Sequence, residues 1–231
     1  MIGENRTIFE AVASSYLRED EHWGDDLDVL AEAIRSFLPD VRYVDLGCGP
    51  GFHVTTIARR FPEVSVTGVD YSPAMLAEAE REILLFSIQN VSLLRANILE
   101  FKPACTYHVA SCLNNTLGNL YMCGKSPAMA REKAMRAIRA LLVQDGQLVA
   151  SVYNLGKFSA RYGENLRVLP QSDPKCGDMF IEWTSPKKKP VKFYSHWFTE
   201  NELRGLLEQN GFKVDFLEKR MARLVVRARA V

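Results

Sequence analysis

The sequence predicts an α/β protein: a doubly wound, seven-stranded, mostly parallel sheet with an antiparallel strand at its C-terminal end. Three observations carry that prediction. A short apolar run, Val41 to Val44, leads into Asp45-Leu46-Gly47-Cys48-Gly49-Pro50-Gly51 and then into a helical pattern beginning near His53. From there to Tyr153, apolar runs alternate with segments of helical period, which demands parallel strands joined by right-handed crossovers. Near the C-terminus, Phe212 to Leu217 and Leu224 to Ala230 read as two adjoining strands that close the sheet as an antiparallel pair.

The elements follow in order. Residues 8–19 place Ile8, Phe9, Val12, Ala13, Tyr16 and Leu17 at helical spacing. Leu27, Leu30, Ala31, Ile34 and Phe37 make a second helix, which Pro39-Asp40 stops. These N-terminal helices, residues 1–38, are expected to act as a lid. Val66 to Asp70 is the second strand. Ser72 is placed to cap a helix with Pro73 at its first position, where a missing N–H does no harm, and Leu76, Ala79 and Ile83 form its expected buried stripe. Val91 to Leu94 and Tyr107 to Leu113 are strands three and four. Ser126-Pro127 repeats the capping signature and opens a helix through Leu142, after which Asp145-Gly146 turns the chain into strand five, Gln147 to Tyr153. Met179 to Trp183 and Val191 to Trp197 alternate around Lys187-Lys188-Lys189-Pro190, which reads as an inserted hairpin at 178–198. Thr199-Glu200-Asn201-Glu202 is a capping box, and its helix ends at Asn210-Gly211. With no linker, composition break or repeat, residues 1–231 are expected to form a single domain around a core at 40–155.

Composition narrows the function. Hydrophobic residues make up 47% and charged residues 25% of 231, ordinary values for a globular chain. A net charge of +1 leaves no general footprint for nucleic acid, and the lysine run reads as a solvated hairpin tip. The start has no apolar core of a signal peptide and no apolar run approaches 18 residues, so a cytoplasmic protein off the membrane is expected. Five cysteines without a C-x-x-C pair argue against disulfides and zinc, and no metal is expected. A monomer and a homodimer both remain open.

The glycine stretch carries the chemistry. Glycines at alternate positions let a ligand approach the backbone closely and adopt positive φ cheaply. Asp70, about 20 residues further on at the end of the next strand, sits where a carboxylate accepts from both hydroxyls of a ribose. The pair points to an adenosine-containing ligand. Phe52 occupies the place of the last glycine in a dinucleotide fingerprint, and no lysine lies between Arg42 and Lys102 to meet a phosphate, which counts against an NAD-type oxidoreductase.

The spacing Asp-x-Gly-x-Gly-x-Gly with its acidic strand end resembles class I S-adenosylmethionine (SAM)-dependent methyltransferases, over residues 40–155. The resemblance implies a Rossmann-like methyltransferase fold, SAM as cofactor and S-adenosylhomocysteine (SAH) as product. Ligands of such sheets bind beyond the strands' carboxyl ends. Those ends are Asp45, Gly47, Cys48 and Gly49; Asp70 and Tyr71; Ala96, Asn97 and Ile98; Leu113, Asn114 and Asn115; and Tyr153 and Asn154. The resemblance puts the glycines against methionine and adenosine, Asp70 on the ribose and Asn97 at the adenine amino group. Met75 covers the adenine face or belongs to the core, and Tyr16 reaches the SAM carboxylate.

Transfer of a methyl group from a sulfonium is an in-line displacement that needs alignment and few obligatory residues. The expected acceptor is a small polar molecule. The Asn-Pro-Pro-Tyr signature of amino-methylating nucleic-acid enzymes is absent after strand four, where Asn114-Asn115-Thr116-Leu117 stands. Asn115 to Asn119 is similar to a short stretch of histidine-betaine-forming methyltransferases, which implies that Asn119 holds the acceptor; Asn114 and Asn119 also suit a turn. Tyr153 as a donor and His196 as an acid or base complete the catalytic candidates, on a floor of Asn114, Asn115, Asn119, Tyr153 and Asn154. Trp183, Trp197 and Phe198 suit an aromatic wall or the core. A tRNA or protein methyltransferase and a non-catalytic SAM- or SAH-binding regulatory protein are the alternatives.

Overall fold

The computed structural model describes residues 5, 8–10, 13, 26–122, 126–158, 166–185 and 188–231. Its strands are β1 (Arg42–Leu46), β2 (Ser65–Asp70), β3 (Val91–Arg95), β4 (Tyr107–Cys112), β5 (Leu142–Tyr153), β6 (Leu166–Val168), β7 (Asp178–Ser185), β8 (Lys188–His196), β9 (Phe212–Arg220) and β10 (Arg223–Ala230). The longer helices are α1 (Leu27–Arg35), α2 (Phe52–Arg60), α3 (Pro73–Leu85), α4 (Pro127–Leu141) and α5 (Glu200–Glu208).

Seven strands pair in the order β3-β2-β1-β4-β5-β10-β9. All neighbours from β3 to β5 are parallel, and β10 runs antiparallel to both β5 and β9. The sheet is therefore the one expected, with β10 as its antiparallel strand. Alternate residues feed opposite faces, as the pleat requires. Val44, Ala110 and Val226 join α4 and α5 through Ala134, Ile138, Leu203 and Leu207. Tyr43, Val109 and Val225 join α1 and α2 through Leu30, Ile34, Val54 and Ile57. Burial of each such Leu or Ile stabilises by about 2 kcal/mol.

Local differences from the sequence expectation have local causes. Helix α4 ends at Leu141, and β5 begins at the next residue. Asp145 (φ 60°) sits in a bulge where pairing jumps from Tyr107↔Leu142 to Val109↔Gln147, so the expected turn lies inside the strand. Ser72 caps α3 by accepting from the Met75 N–H at 3.3 Å, whereas Ser126 makes no side-chain cap bond. In α3, Met75 and Ala79 are buried while Leu76 and Ile83 are only half-buried, because the helix covers the edge of the sheet at β3. The hairpin of β7 and β8 gains a third strand, β6, which only three residues form; residues 186–187 at its tip lie outside the description, Lys187 among them.

This small sheet is fastened at the carboxyl ends of β4 and β5. The His196 N–H donates to the Gly118 carbonyl (2.8 Å) and the Phe198 N–H to the Tyr153 carbonyl (2.8 Å). Among the described residues, no helix is long and apolar enough to cross a membrane.

Candidate active site

Strand order reverses between β1 and β4, and at that point the loops splay apart to leave a crevice. An open cleft of about 910 Å³ lies there, lined by residues from the ends of β1, β2, β3 and β4 and by Asn5 and Phe9 of the N-terminal segment. Of the residues expected to bind the cofactor, Asp45, Gly47, Cys48, Gly49, Asp70, Tyr71, Met75, Asn97, Ile98, Leu113 and Asn114 all line it.

The three loop glycines have positive φ but different tasks. A Cβ on Gly47 would collide with the Thr116 side chain, and one on Gly51 would come within 2.8 Å of the Ala79 Cβ. These two glycines let the loop pack against the turn after β4 and against α3. A Cβ on Gly49 (φ 53°) meets nothing within 4 Å, so this residue borders open cleft. The loop is braced by Asp70: Oδ2 accepts from the Gly49 N–H (2.9 Å) and Oδ1 from the Ser72 N–H (2.8 Å). The Tyr71 N–H also acts on this carboxylate, and of its roughly four lone-pair sites about one remains for a ligand. Burial raises the Asp70 pKa, and the Ser72 and Gly49 N–H groups oppose the rise.

Asp45 is the second carboxylate of the cleft and is 1% exposed. It accepts from Ser111 Oγ (2.6 Å), which also lies 2.7 Å from the Tyr43 hydroxyl. Burial pushes its pKa up to about 7, against the pull of Ser111 and with the help of nearby Asp70. Asn97 at the end of β3 accepts from the Leu99 N–H through Oδ1 (3.0 Å), which holds the amide over the cleft. Met75 is 1% exposed and both lines the cleft and packs with Ala13.

After β4 the chain makes a left-handed turn through Asn114 (φ 52°) and Asn115 (φ 62°), a conformation asparagine tolerates. Asn114, Thr116 and Asn119 face the cleft. Asn115 does not; it is fully buried and binds Tyr153, Ser195 and His196. Asn154 caps the short helix at Leu155–Lys157. Tyr153 is outside the lining and stacks obliquely on Trp197, with centroids 4.9 Å apart. Ala96 uses its N–H on the Asp70 carbonyl (3.0 Å) and does not line the cleft. Trp197 and Phe198 are core residues, and Trp183 packs against the Met75 cluster. Tyr16 lies outside the described residues.

His196 also sits away from the cleft. It is 1% exposed, with Nδ1 2.7 Å from Asp178 Oδ1 and Nε2 2.7 Å from Glu202 Oε1. Tyr194 donates to the same Asp178 oxygen, and Arg131 lies 3.5 Å from it. Burial raises Asp178, yet His196, Tyr194 and Arg131 outweigh it and hold the carboxyl below its usual range. Glu202 is thus drawn to His196, and the capping box is half made: Thr199 Oγ1 accepts from the Glu202 N–H at 3.2 Å. We expect His196→Ala to lower the melting temperature by about 4–8 °C, roughly 2 kcal/mol, by leaving two carboxylates without their common partner. SAH affinity should not change, and calorimetry of the variant checks both.

Asn5, Phe9, His53, Ser72, Thr116 and Leu120 line the cleft without having been singled out as ligand residues. Thr116 and Leu120 lie in the stretch after strand four, Phe9 stood in a helical stripe and Ser72 read as a cap. His53 follows the glycine loop by two residues and was marked only as the start of a helix. Asn5 had no local signal, since its partners Asn119 and Tyr194 are distant in sequence.

The sheet order is shared with solved structures of SAM-dependent methyltransferases. Residues 44–146 match the family model described as "Methyltransferase domain". Trans-aconitate 2-methyltransferase of Methylobacterium nodulans is 42% identical over 72 residues, 31% of this chain and 27% of that protein. The chain therefore spans about a quarter of the length of the curated relative it matches. The CcbJ methyltransferase of Streptomyces caelestis superposes with a TM-score of 0.76 at 17% identity, over 95% of this chain and 96% of that one. A SAM-bound amino pentose methyltransferase of Micromonospora echinaspora gives 0.66 at 20% identity, over 97% of each chain.

Proposed function

We propose that the protein is a SAM-dependent methyltransferase acting on a small polar molecule. The observation that carries this reading is Asp70. Its carboxylate bridges the glycine loop and the N-terminus of α3, borders the cleft and keeps accepting capacity for a ribose hydroxyl. Asn97 then meets the adenine, with Ile98 and Leu113 supplying apolar surface, and Gly49 lies against the ligand backbone. The methyl group points away from the loop toward Asn114 and Asn119. The segmental likeness to trans-aconitate 2-methyltransferase supports a small acceptor, as does the near-neutral charge of the chain. In-line transfer from a sulfonium places no demand on a metal, and the chain's part is to align the acceptor and exclude water. Titration with SAH tests the reading: saturable binding at one site per chain is expected, and absence of binding would remove it.

Asp45 gives that binding a pH dependence. Its folded pKa, about 7, lies above the ordinary carboxylate value. The stability this group contributes is fully present below the unfolded value near 4 and is lost as pH rises through about 7. A cationic ligand reverses the preference, because it favours the ionised carboxylate. SAM affinity should therefore rise with pH, by up to about tenfold per unit below pH ~7, and level off above it. Titrations from pH 5.5 to 8.5 check this; affinity that is flat through pH 7 would separate Asp45 from the cation.

A further inference from the structure

The cleft's polar residues beyond β4 are fixed in orientation by groups that can only donate. Asn115 Oδ1 accepts the backbone N–H of Tyr153 (3.0 Å). Its Nδ2 must therefore face the other way, toward Asn119 Oδ1 (3.3 Å), Ser195 Oγ (3.1 Å) and the His196 carbonyl (3.2 Å). The carbonyl, which only accepts, agrees with that assignment. Asn119 is in turn set with Oδ1 toward Asn115, and its own carbonyl oxygen takes Asn5 Nδ2. What Asn119 has left for the cleft is Nδ2, a donor.

Asn114 is set the same way from the opposite side. Its Oδ1 accepts from Arg223 Nη1 at 2.6 Å, and a guanidinium has no acceptor to offer. Arg223 is 2% exposed and lies 3.7 Å from the fully buried Asp26. A buried pair of this kind contributes little net stability, so its fixing of Asn114 is the more informative property. Ser151 Oγ accepts the Asn114 N–H (2.9 Å) and donates to Asp26 Oδ2 (2.5 Å), which locks the turn to the same pair. Asn114 also lines the cleft, and its free amide edge is Nδ2, polarised by the cation behind it. Thr116 gives its hydroxyl proton to the Leu113 carbonyl (2.8 Å) and stands against Gly47, on the loop side.

We infer that the acceptor molecule is held through a carboxylate, received by the Nδ2 groups of Asn119 and Asn114. The inference rests on the methyl-transfer reading of the cleft. A carboxylate only accepts, so it matches both amides and lies next to the cationic sulfonium. An alkylammonium would meet the N–H edges of these two side chains, their oxygens being turned toward Asn115 and Arg223, and would stand near a like charge. A site whose donors are left unpaired rejects the mismatched ligand strongly. Arg223 is a positioning residue in this arrangement and Asn115 is another, each acting through the amide it orients.

The test uses protein saturated with SAH, titrated calorimetrically with benzoate and butanedioate and, in parallel, with benzylamine and 1,4-diaminobutane. The carboxylates should bind at millimolar concentration and the amines should not. Asn119→Asp keeps the shape and the bond from Asn115 but turns the cleft-facing donor into an anionic acceptor. It should weaken carboxylate binding by more than about tenfold, with SAH affinity within about threefold of the parent. Asn119→Ala, which adds no charge, should weaken it by about five- to tenfold. Amines binding as well as carboxylates, or carboxylates unaffected by both substitutions, would overturn the inference. So would variants that lose SAH while keeping the carboxylates, since that would place Asn119 on the cofactor. Failure of the parent protein to bind SAH would instead remove the methyl-transfer reading itself.

Discussion

Replacing Gly49 by valine is expected to abolish binding of SAM and SAH while the fold survives. Gly49 has a φ of 53°, which an L-residue adopts at a cost of about 1–2 kcal/mol. That is a fraction of the roughly 5–15 kcal/mol that stabilises a domain. Its Cβ would enter empty cleft and meet no protein atom within 4 Å, so the added methyl groups stand in ligand space. Gly47 and Gly51 differ, because a side chain at either collides with Thr116 or Ala79 and would disturb packing. Calorimetry should show no heat of binding for Gly49→Val, with a melting temperature only a few degrees lower. Tight binding by the variant would take the ligand away from the loop.

Asp70→Ala is expected to weaken SAH binding by about 2–3 kcal/mol, or roughly 30–150-fold. Loss of two hydrogen bonds to a charged acceptor accounts for that magnitude. The structure adds a second route to the same result, since Asp70 also tethers the N–H groups of Gly49 and Ser72. Asp70→Asn separates the routes in part: its single Oδ1 keeps one tether, and its amide cannot accept from both ribose hydroxyls. An unchanged dissociation constant for Asp70→Ala would remove ribose recognition from this residue.

The glycine loop and its contact with Asp70 were legible in the sequence because their determinants are local. A strand, a turn with glycines at fixed offsets and a second strand ending in aspartate fall within residues 41–70, and the structure brings Gly49 and Asp70 into direct contact. The parallel order was legible for the same reason, through the alternation of two periods. The part of the cleft beyond β4 was less so. Tyr153, Asn115, Asn154 and His196 were placed correctly near the ends of strands, but strand-end position does not say which way a side chain points. His196 is turned away by Asp178 and Glu202, the first from across the hairpin and the second from a helix cap. Asn5 enters the cleft through partners 114 and 189 residues away, a pairing without local signal. Asn119 stood out through the likeness of residues 115–119 to another family's stretch, while the fixing of its amide depends on a backbone N–H of β5.

The most direct test of the account is a crystal structure of the SAH complex. Both ribose hydroxyls are expected on Asp70, adenine between Ile98 and Leu113, and the sulfur directed toward Asn114 and Asn119. Asn119 should lie within direct or single-water reach of an acceptor placed beyond that sulfur. SAH bound with its ribose away from Asp70, or with Asn114 and Asn119 more than ~10 Å from the sulfur, would contradict it.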